Sequence, residues 1–318
     1  MVRQPAAQLL ADIGGTSARF ALSRDGRVDQ QQTQRCSESP GLLEAARSYL
    51  DLVGASPTQA AFAVAAPVLG GQVKMTNSAW TFSIEATREA LGLERLLVVN
   101  DFTALAHAIP MLGQHELRQV GEGSAARGAP VGVIGPGTGL GVSGLIPVGD
   151  RWAVLQGEGG HCSFAPRSNR EDALLRVLRA RFGHVSFERL ASGPGLSNIY
   201  QALCELDGAA PVELPPEAVT AAAQDGSDQR AEETLDLFCA ALGTAAADLA
   251  LAIGARAGVY IGGGIVPRLG ERFAKSPFRE RFEDHGRFSA YLAGIPTFVI
   301  IAEHPPALRG LAALLDSP

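Results

Sequence analysis

Three glycine clusters carry residue types that could bind phosphate. The first is Asp12-Ile13-Gly14-Gly15-Thr16-Ser17-Ala18-Arg19, set between two apolar runs. Glycine lets a backbone approach a ligand closely and present its N–H groups to phosphate oxygens. The Thr16 hydroxyl adds a donor, and Asp12, ending the first run, is a candidate partner for hydrated Mg²⁺. The same residues also fit an ordinary β-hairpin turn. They form neither a P-loop nor a dinucleotide fingerprint, because the lysine is missing and a strand rather than a helix follows. A second cluster, Gly135-Pro136-Gly137-Thr138-Gly139-Leu140-Gly141, repeats the strand–turn–strand pattern roughly 120 residues later. Two matching turns, one in each half, are harder to dismiss than one. The third cluster, Gly262-Gly263-Gly264, follows a short apolar run. It can lay bare backbone against an adenine or ribose, or simply turn a strand into a helix.

Acid–base chemistry needs carboxylates near such loops. Asn100-Asp101 closes the run LLVVN, and ligands of α/β sheets gather at the carboxyl ends of strands. Asp101 there can take a proton from a hydroxyl, or can cap the helix that follows. Gly157-Glu158-Gly159-Gly160-His161 puts an acid and an imidazole on one glycine turn. Both can hydrogen-bond vicinal hydroxyls of a sugar, and a solvated turn is the alternative. Glu188 offers a further acceptor, although the residues alone favour a helix start after Ser186. The histidines show no metal-ligand spacing.

The elements that position these groups alternate in type. AQLLADI predicts a buried strand, and FALSRDGRV a second strand with a turn at Asp25-Gly26. GLLEAARSYLDLV from Gly41 has helical spacing. QAAFAVAAPV predicts a buried strand, LLVVN a short strand, and SIEATREALG a helix capped by Ser83 and ending at Gly92. FTALAHAI is an apolar helix ahead of Pro110. In the second half, VGVIGPGTGLGVSGLIPV predicts two strands around glycines. Ser168 with Glu171 forms a capping box from which a helix starts at Asn169. Residues 229–256 predict one long Ala-rich helix, GVYIGGGIV and IPTFVIIA two strands, and PALRGLAALL a last helix. The mixed-charge segment 271–287 is expected to be a solvated face. The whole is an α/β pattern with partly parallel sheets.

Composition narrows the function classes. The chain has 318 residues, 27 basic and 33 acidic, for a formal charge of −6. That argues against a general phosphate-backbone binder. Its length favours two domains. Cys36, Cys162, Cys204 and Cys239 have no CxxC spacing, which fits a reducing cytoplasm. The first ten residues lack the apolar run of a signal peptide. The apolar stretch 237–266 carries Asp248, Arg256 and several glycines, so it is not expected to span a membrane.

Taken together, these motifs resemble the bacterial glucokinase family, within the hexokinase–actin–Hsp70 group of nucleotide-binding folds. The resemblance is carried by DIGGTSARFAL (12–22), AAPVLGGQVKMTNSAWTFS (65–83), NDFTALAHAIPML (100–112), GPGTGLG (135–141), GEGGHCSFAP (157–166), RFGHVSFERLASGPGL (181–196) and IGGGIVPR (261–268), in the family's order along essentially the whole chain. It implies two actin-like (ribonuclease H-like) α/β domains with an active-site cleft between them. The smaller would hold residues 1–110 plus 302–318, and the larger residues 111–301. It further implies ATP- and Mg²⁺-dependent phosphorylation of the 6-hydroxyl of glucose, feeding glycolysis, by a cytoplasmic homodimer. Asp101 then looks like the catalytic base. Asn77, Asn100, Asp101, Glu158, His161 and Glu188 look like glucose ligands. Ala11, Asp12, Ile13, Gly14, Gly15, Thr16 and Ser17, with Gly135, Gly137, Thr138 and Gly139, look like the phosphate loops. Asp12 would hold Mg²⁺, directly or through water. Gly262, Gly263 and Gly264 look like the adenosine side. Ser17 replaces a frequent family Asn, and Cys162-Ser163 is unusual after the histidine. The zinc-binding cysteines of the repressor/kinase (ROK) sugar kinases are absent, which disfavours that branch. The glycine loops leave the phosphate donor and the hexose open. An actin- or Hsp70-like ATPase, or a sugar sensor without turnover, gives no reason for Asp101, Glu158 and His161 together.

Overall fold

Leu9, Ala11 and Ile13 join one hydrophobic cluster and Leu10 joins another. Alternation along the first strand, β1 (Gln8–Ile13), thus buries both of its faces. The computed structural model describes residues 7–76, 78–210 and 212–316. The chain divides into two units, Met1–Gly113 with Ala302–Pro318, and Gln114–Ile301.

In the first unit β1 is followed by β2 (Ser17–Arg24), β3 (Arg27–Arg35), α1 (Leu42–Val53), β4 (Gln59–Val64), β5 (Gln72–Lys74), β6 (Thr81–Ser83), α2 (Ile84–Ala90), β7 (Arg95–Asn100) and α3 (Asp101–Ala108). The main sheet has the order β3-β2-β1-β4-β7. The strands β1, β2 and β3 are antiparallel neighbours, whereas β4 runs parallel to both β1 and β7. Asp25 (φ 51°) and Gly26 (φ 74°) make the β2–β3 turn, the geometry that matches strand twist. The strand β3 continues to Arg35 as an exposed edge. Its sequence RVDQQQTQR has no apolar alternation, so only pairing with β2 reveals it. Ser83 caps α2, accepting from the Ala86 N–H at 3.3 Å, and Gly92 follows that helix at φ 66°.

The second unit contains β8 (Leu117–Val120), β9 (Val131–Pro136), β10 (Leu140–Val148), β11 (Arg151–Gly157), α4 (Asn169–Phe182), α5 (Gly193–Leu206), α6 (Pro216–Asp225) and α7 (Gln229–Ile253). After β12 (Val259–Ile261) come α8 (Val266–Leu269), α9 (Glu271–Ala274), α10 (Phe278–Glu283), α11 (Ser289–Ala293) and β13 (Thr297–Ile300). Its sheet order is β11-β10-β9-β12-β13-β8. Here β9, β10 and β11 form the antiparallel meander, and β12 and β13 extend it in parallel from β9. This arrangement matches that of the first unit, with a glycine hairpin joining the first two strands of each meander. The last helix, α12 (Pro306–Asp316), belongs to the first unit, where Leu308, Leu311 and Leu315 cover Leu10, Ala61 and Ala63.

Several expectations need correction. The segment 271–287 is no solvated face: Phe273, Phe278 and Phe282 are fully buried and Arg279 is 9% exposed. Their three aromatic rings outweigh the charges, which turn outward or find partners, Arg279 on Glu283, Arg272 on Asp236 and Arg281 on Glu171. The long helix stops at Ile253 because Gly254, at φ 66°, caps it in the left-handed region. The capping box is half formed. Ser168 accepts from the Glu171 N–H at 3.2 Å. The Glu171 carboxylate, however, turns to the Arg167 N–H and the Arg281 guanidinium. Among the described residues α7 is the one helix long and apolar enough to cross a membrane, but 61% of its apolar window is buried inside the structure. It is the central helix of the second unit's core, which includes Leu235, Phe238 and Leu242.

Candidate active site

In the first unit, strand register decides what lies together. Ile13 pairs with Val64 and Val64 with Asn100, so β1, β4 and β7 end level with one another. The glycine hairpin leaves the end of β1, and Asn100-Asp101 leave the end of β7. With strands about 4.8 Å apart, the two lie roughly 10 Å from each other on one sheet edge. Gly14 donates to the Ser17 carbonyl at 2.9 Å, which closes the hairpin and leaves the Thr16 side of the loop exposed. Cys36 seats the loop from behind: its N–H donates to the Thr16 carbonyl at 2.9 Å and its Sγ to the Gly14 carbonyl at 3.5 Å.

Asp12 and Arg19 are direct cross-strand partners. The Arg19 Nη1 donates to Asp12 Oδ2 at 3.1 Å. Burial pushes the Asp12 carboxyl above the usual carboxylate range, while Arg19 pulls it back through charge and hydrogen bond. Among the described residues no three His, Cys, Asp or Glu side chains come together to hold a metal ion. A lone carboxylate already paired to a guanidinium fits Mg²⁺ that keeps its waters and arrives on substrate phosphates. It does not fit a resident protein cage.

At the start of α3 the cap is Asn100, whose Oδ1 accepts from the Phe102 N–H at 2.9 Å. Asp101 Oδ1 also accepts from that N–H, at 3.0 Å. Asn100 Nδ2 donates to the Ala66 carbonyl at 3.5 Å and so ties the ends of β4 and β7 together. The helix-capping role therefore falls chiefly to Asn100, and Asp101 occupies the first helical position.

The second unit draws together segments that are distant in sequence. The hairpin tip at Gly137–Gly139 is held where the Gly193 N–H, opening α5, donates to the Gly137 carbonyl at 2.8 Å. Glu188 lies in a single helical turn, Phe187–Arg189. Its Oε2 accepts from the Leu140 N–H at 2.9 Å, and its Oε1 stands 4.0 Å from His161 Nδ1. The turn carrying Glu158 and His161 packs against β10, since a Cβ on Gly160 would run into the Leu140 carbonyl. The third glycine cluster arrives from β12. The Gly262 N–H donates to the Ile134 carbonyl at 2.8 Å. Gly263, at φ 79°, lies so close to Pro136 that a Cβ there would meet the Pro136 carbonyl. The second and third clusters are thus one surface, as a nucleotide site would require.

Of the residues singled out in the sequence, Ala11 to Ser17, Asn100 and Asp101 share an edge of the first unit. Gly135 to Gly139, Glu158, His161, Glu188 and Gly262 to Gly264 share a region of the second. Asn77 lies outside the described residues. Sequence reasoning passed over Arg19, Cys36 and the Ser192-Gly193 start of α5. Arg19 could have been found by counting hairpin register back to Asp12, and Ser192 by its cap position before GPG. Cys36 gave no signal, because its role depends on β3 returning under the loop.

Comparison with known proteins agrees with this geometry. A family model described as glucokinase matches residues 9–318. The chain is similar to the glucokinase of Chromobacterium violaceum, at 55% identity over 97% of this chain and 89% of that one. It is also similar to the crystal structure of glucokinase from an Antarctic psychrotroph, with a TM-score of 0.87 and 37% identity over 99% of this chain and 100% of the other. A ROK-family glucokinase from Streptomyces griseus, solved with glucose and AMPPNP, shares the fold at a TM-score of 0.65 and 20% identity over 97% of this chain and 99% of the other. With a family match spanning nearly all of its length and an actin-like sheet carrying a glycine hairpin in each unit, the chain belongs to the glucokinase family.

Proposed function

We propose that the chain transfers the γ-phosphoryl group of ATP to the 6-hydroxyl of D-glucose, with Asp101 as the general base. The observation that carries this reading is the common edge of β1, β4 and β7, which presents a phosphate-type hairpin and a strand-end carboxylate side by side. Phosphoryl transfer asks little covalent chemistry of a protein and depends on positioning and charge stabilisation. The Asp101 carboxylate takes the proton of the 6-hydroxyl. That oxygen bonds to the γ-phosphorus while the bond from phosphorus to the β–γ bridging oxygen breaks, releasing ADP. Backbone N–H groups of the two hairpins hold the phosphate oxygens, and the Gly262–Gly264 surface takes the adenosine. Asn77, Asn100, Glu158, His161 and Glu188 hold the remaining sugar hydroxyls. Mg²⁺, when bound with the nucleotide, neutralises phosphate charge, and Asp12 would hold it through water because Arg19 already occupies one of its oxygens. Four free cysteines, one of them exposed, fit a cytoplasmic enzyme, and a homodimer belongs to the same reading.

The test is Asp101→Asn in a coupled assay run over a panel of hexoses and phosphate donors. Because Asn100 supplies the cap, the variant keeps its helix start and its fold. Turnover with glucose and ATP should fall by about 10²–10⁴, the usual contribution of a general base, while glucose affinity stays within about tenfold. Wild-type turnover in this variant refutes the assignment. Preference for another hexose or for polyphosphate refutes the substrate pair.

A further inference from the structure

Glu188 grips the second glycine hairpin at two points. Through its side chain, Oε2 accepts from the Leu140 N–H at 2.9 Å, at one foot of the loop. Through its main chain, its carbonyl accepts from the Ser192 hydroxyl at 2.7 Å. Ser192 in turn accepts from the Gly195 N–H at 3.0 Å and starts α5, whose Gly193 N–H holds the Gly137 carbonyl at the other foot. The close approach of the carboxylate depends on Gly139, where any Cβ would press on Oε2. The second oxygen, Oε1, faces His161, with Nδ1 at 4.0 Å, on a side chain that is 30% exposed.

We infer that Glu188 is a positioning residue that links occupancy of the sugar site to the shape of the nucleotide loop. The inference rests on the proposed sugar and nucleotide sites above. A carboxylate has two acceptor oxygens on one rigid plane, and the terminal torsion of a glutamate is soft. With Oε1 unoccupied, that plane rocks, and the Leu140 bond loosens with it. A sugar hydroxyl donating to Oε1 fixes the plane and holds Oε2 on the Leu140 N–H. The hairpin is then ordered before the phosphates reach it, so sugar raises nucleotide affinity. By linkage, nucleotide raises sugar affinity by the same factor.

The experiment measures AMPPNP affinity by calorimetry on the full chain, with and without saturating glucose. Couplings of this kind are about 5- to 150-fold, and the wild type should bind AMPPNP at least about fivefold more tightly with glucose present. In Glu188→Gln one oxygen becomes an N–H donor, so the amide that holds Leu140 through its oxygen can only donate to the sugar and no longer accept from it. The two-oxygen clamp is lost, and the sugar effect should weaken even at saturating glucose. Gly139→Ala displaces Oε2 while leaving the carboxylate for the sugar; it should retain most glucose affinity and lose the coupling. Thermal melts confirm that each variant is folded. Undiminished coupling in folded Gly139→Ala, or a wild type that phosphorylates glucose without coupling, overturns the inference alone. A wild type that neither binds nor phosphorylates glucose overturns the functional reading with it.

Discussion

At the residue scale, the pairing of Asp12 with Arg19 turns an acid on a strand into a tuned one. Burial favours its neutral form, and Arg19 opposes burial by charge and by a hydrogen bond. A carboxyl whose folded pKa is raised contributes stability that is fully present below its unfolded value near 4 and is lost as pH rises through the folded value. Removing Arg19 leaves burial unopposed, so in Arg19→Met the Asp12 pKa rises further. Less of the ionised form is present at neutral pH. The acid limb of kcat/KM should therefore move to higher pH, with activity partly recovered on the alkaline side. Rate measurements from pH 5 to 9 on both proteins check this, and superimposable acid limbs would show that Arg19 does not tune Asp12.

At the element scale, the placement of Asp101 depends on where α3 lies. That helix is held against α12 by a close backbone approach: a Cβ on Gly310 would clash with the Ala104 carbonyl and press on the Ala108 N–H. Neither atom can move without shifting α3, because both belong to its backbone. Gly310→Ala gains helix propensity, worth about 1 kcal/mol at best. It must also push two helices apart, and overpacking of this kind costs roughly 1–3 kcal/mol or more. The net expectation is a lower melting temperature together with reduced kcat, as Asp101 moves with its helix. An unchanged melt and unchanged kcat would mean that the two helices yield freely at this crossing.

At the scale of the whole molecule, the two units differ in how the chain builds them. The second is one continuous stretch, whereas the first needs Ala302–Pro318 from the far end. Without α12, the sheet face formed by Leu10, Ala61 and Ala63 loses Leu308, Leu311 and Leu315. Burying a leucine is worth about 1.5–3 kcal/mol, and native stability is only about 5–15 kcal/mol. Losing three such residues removes an amount comparable with the stability of a whole domain. Truncation after residue 301 should abolish amide protection in β1, β4 and β7 while β9, β10 and β12 remain protected. Hydrogen exchange read by mass spectrometry distinguishes this from uniform loss or uniform retention, either of which contradicts it.

Much was legible before any coordinates. Strands such as QAAFAV and LLVVN announce themselves by unbroken apolar runs, and Ser83, Gly92 and Asp25-Gly26 by local backbone chemistry that needs no distant partner. Glycine clusters and strand-end carboxylates could be picked out for the same reason: their chemistry is local. What stayed hidden is non-local. The strand β3 and the burial of Phe273, Phe278 and Phe282 depend on a neighbour's face, which composition does not record. Strand register alone put Arg19 on Asp12, and packing alone set Gly263 against Pro136 and Glu188 against Leu140. Sequence by itself determined which groups could do chemistry, because residue type sets charge, donors and backbone freedom. Only the tertiary structure decided which of them share a surface, because pairing and close approach join residues that the chain keeps far apart.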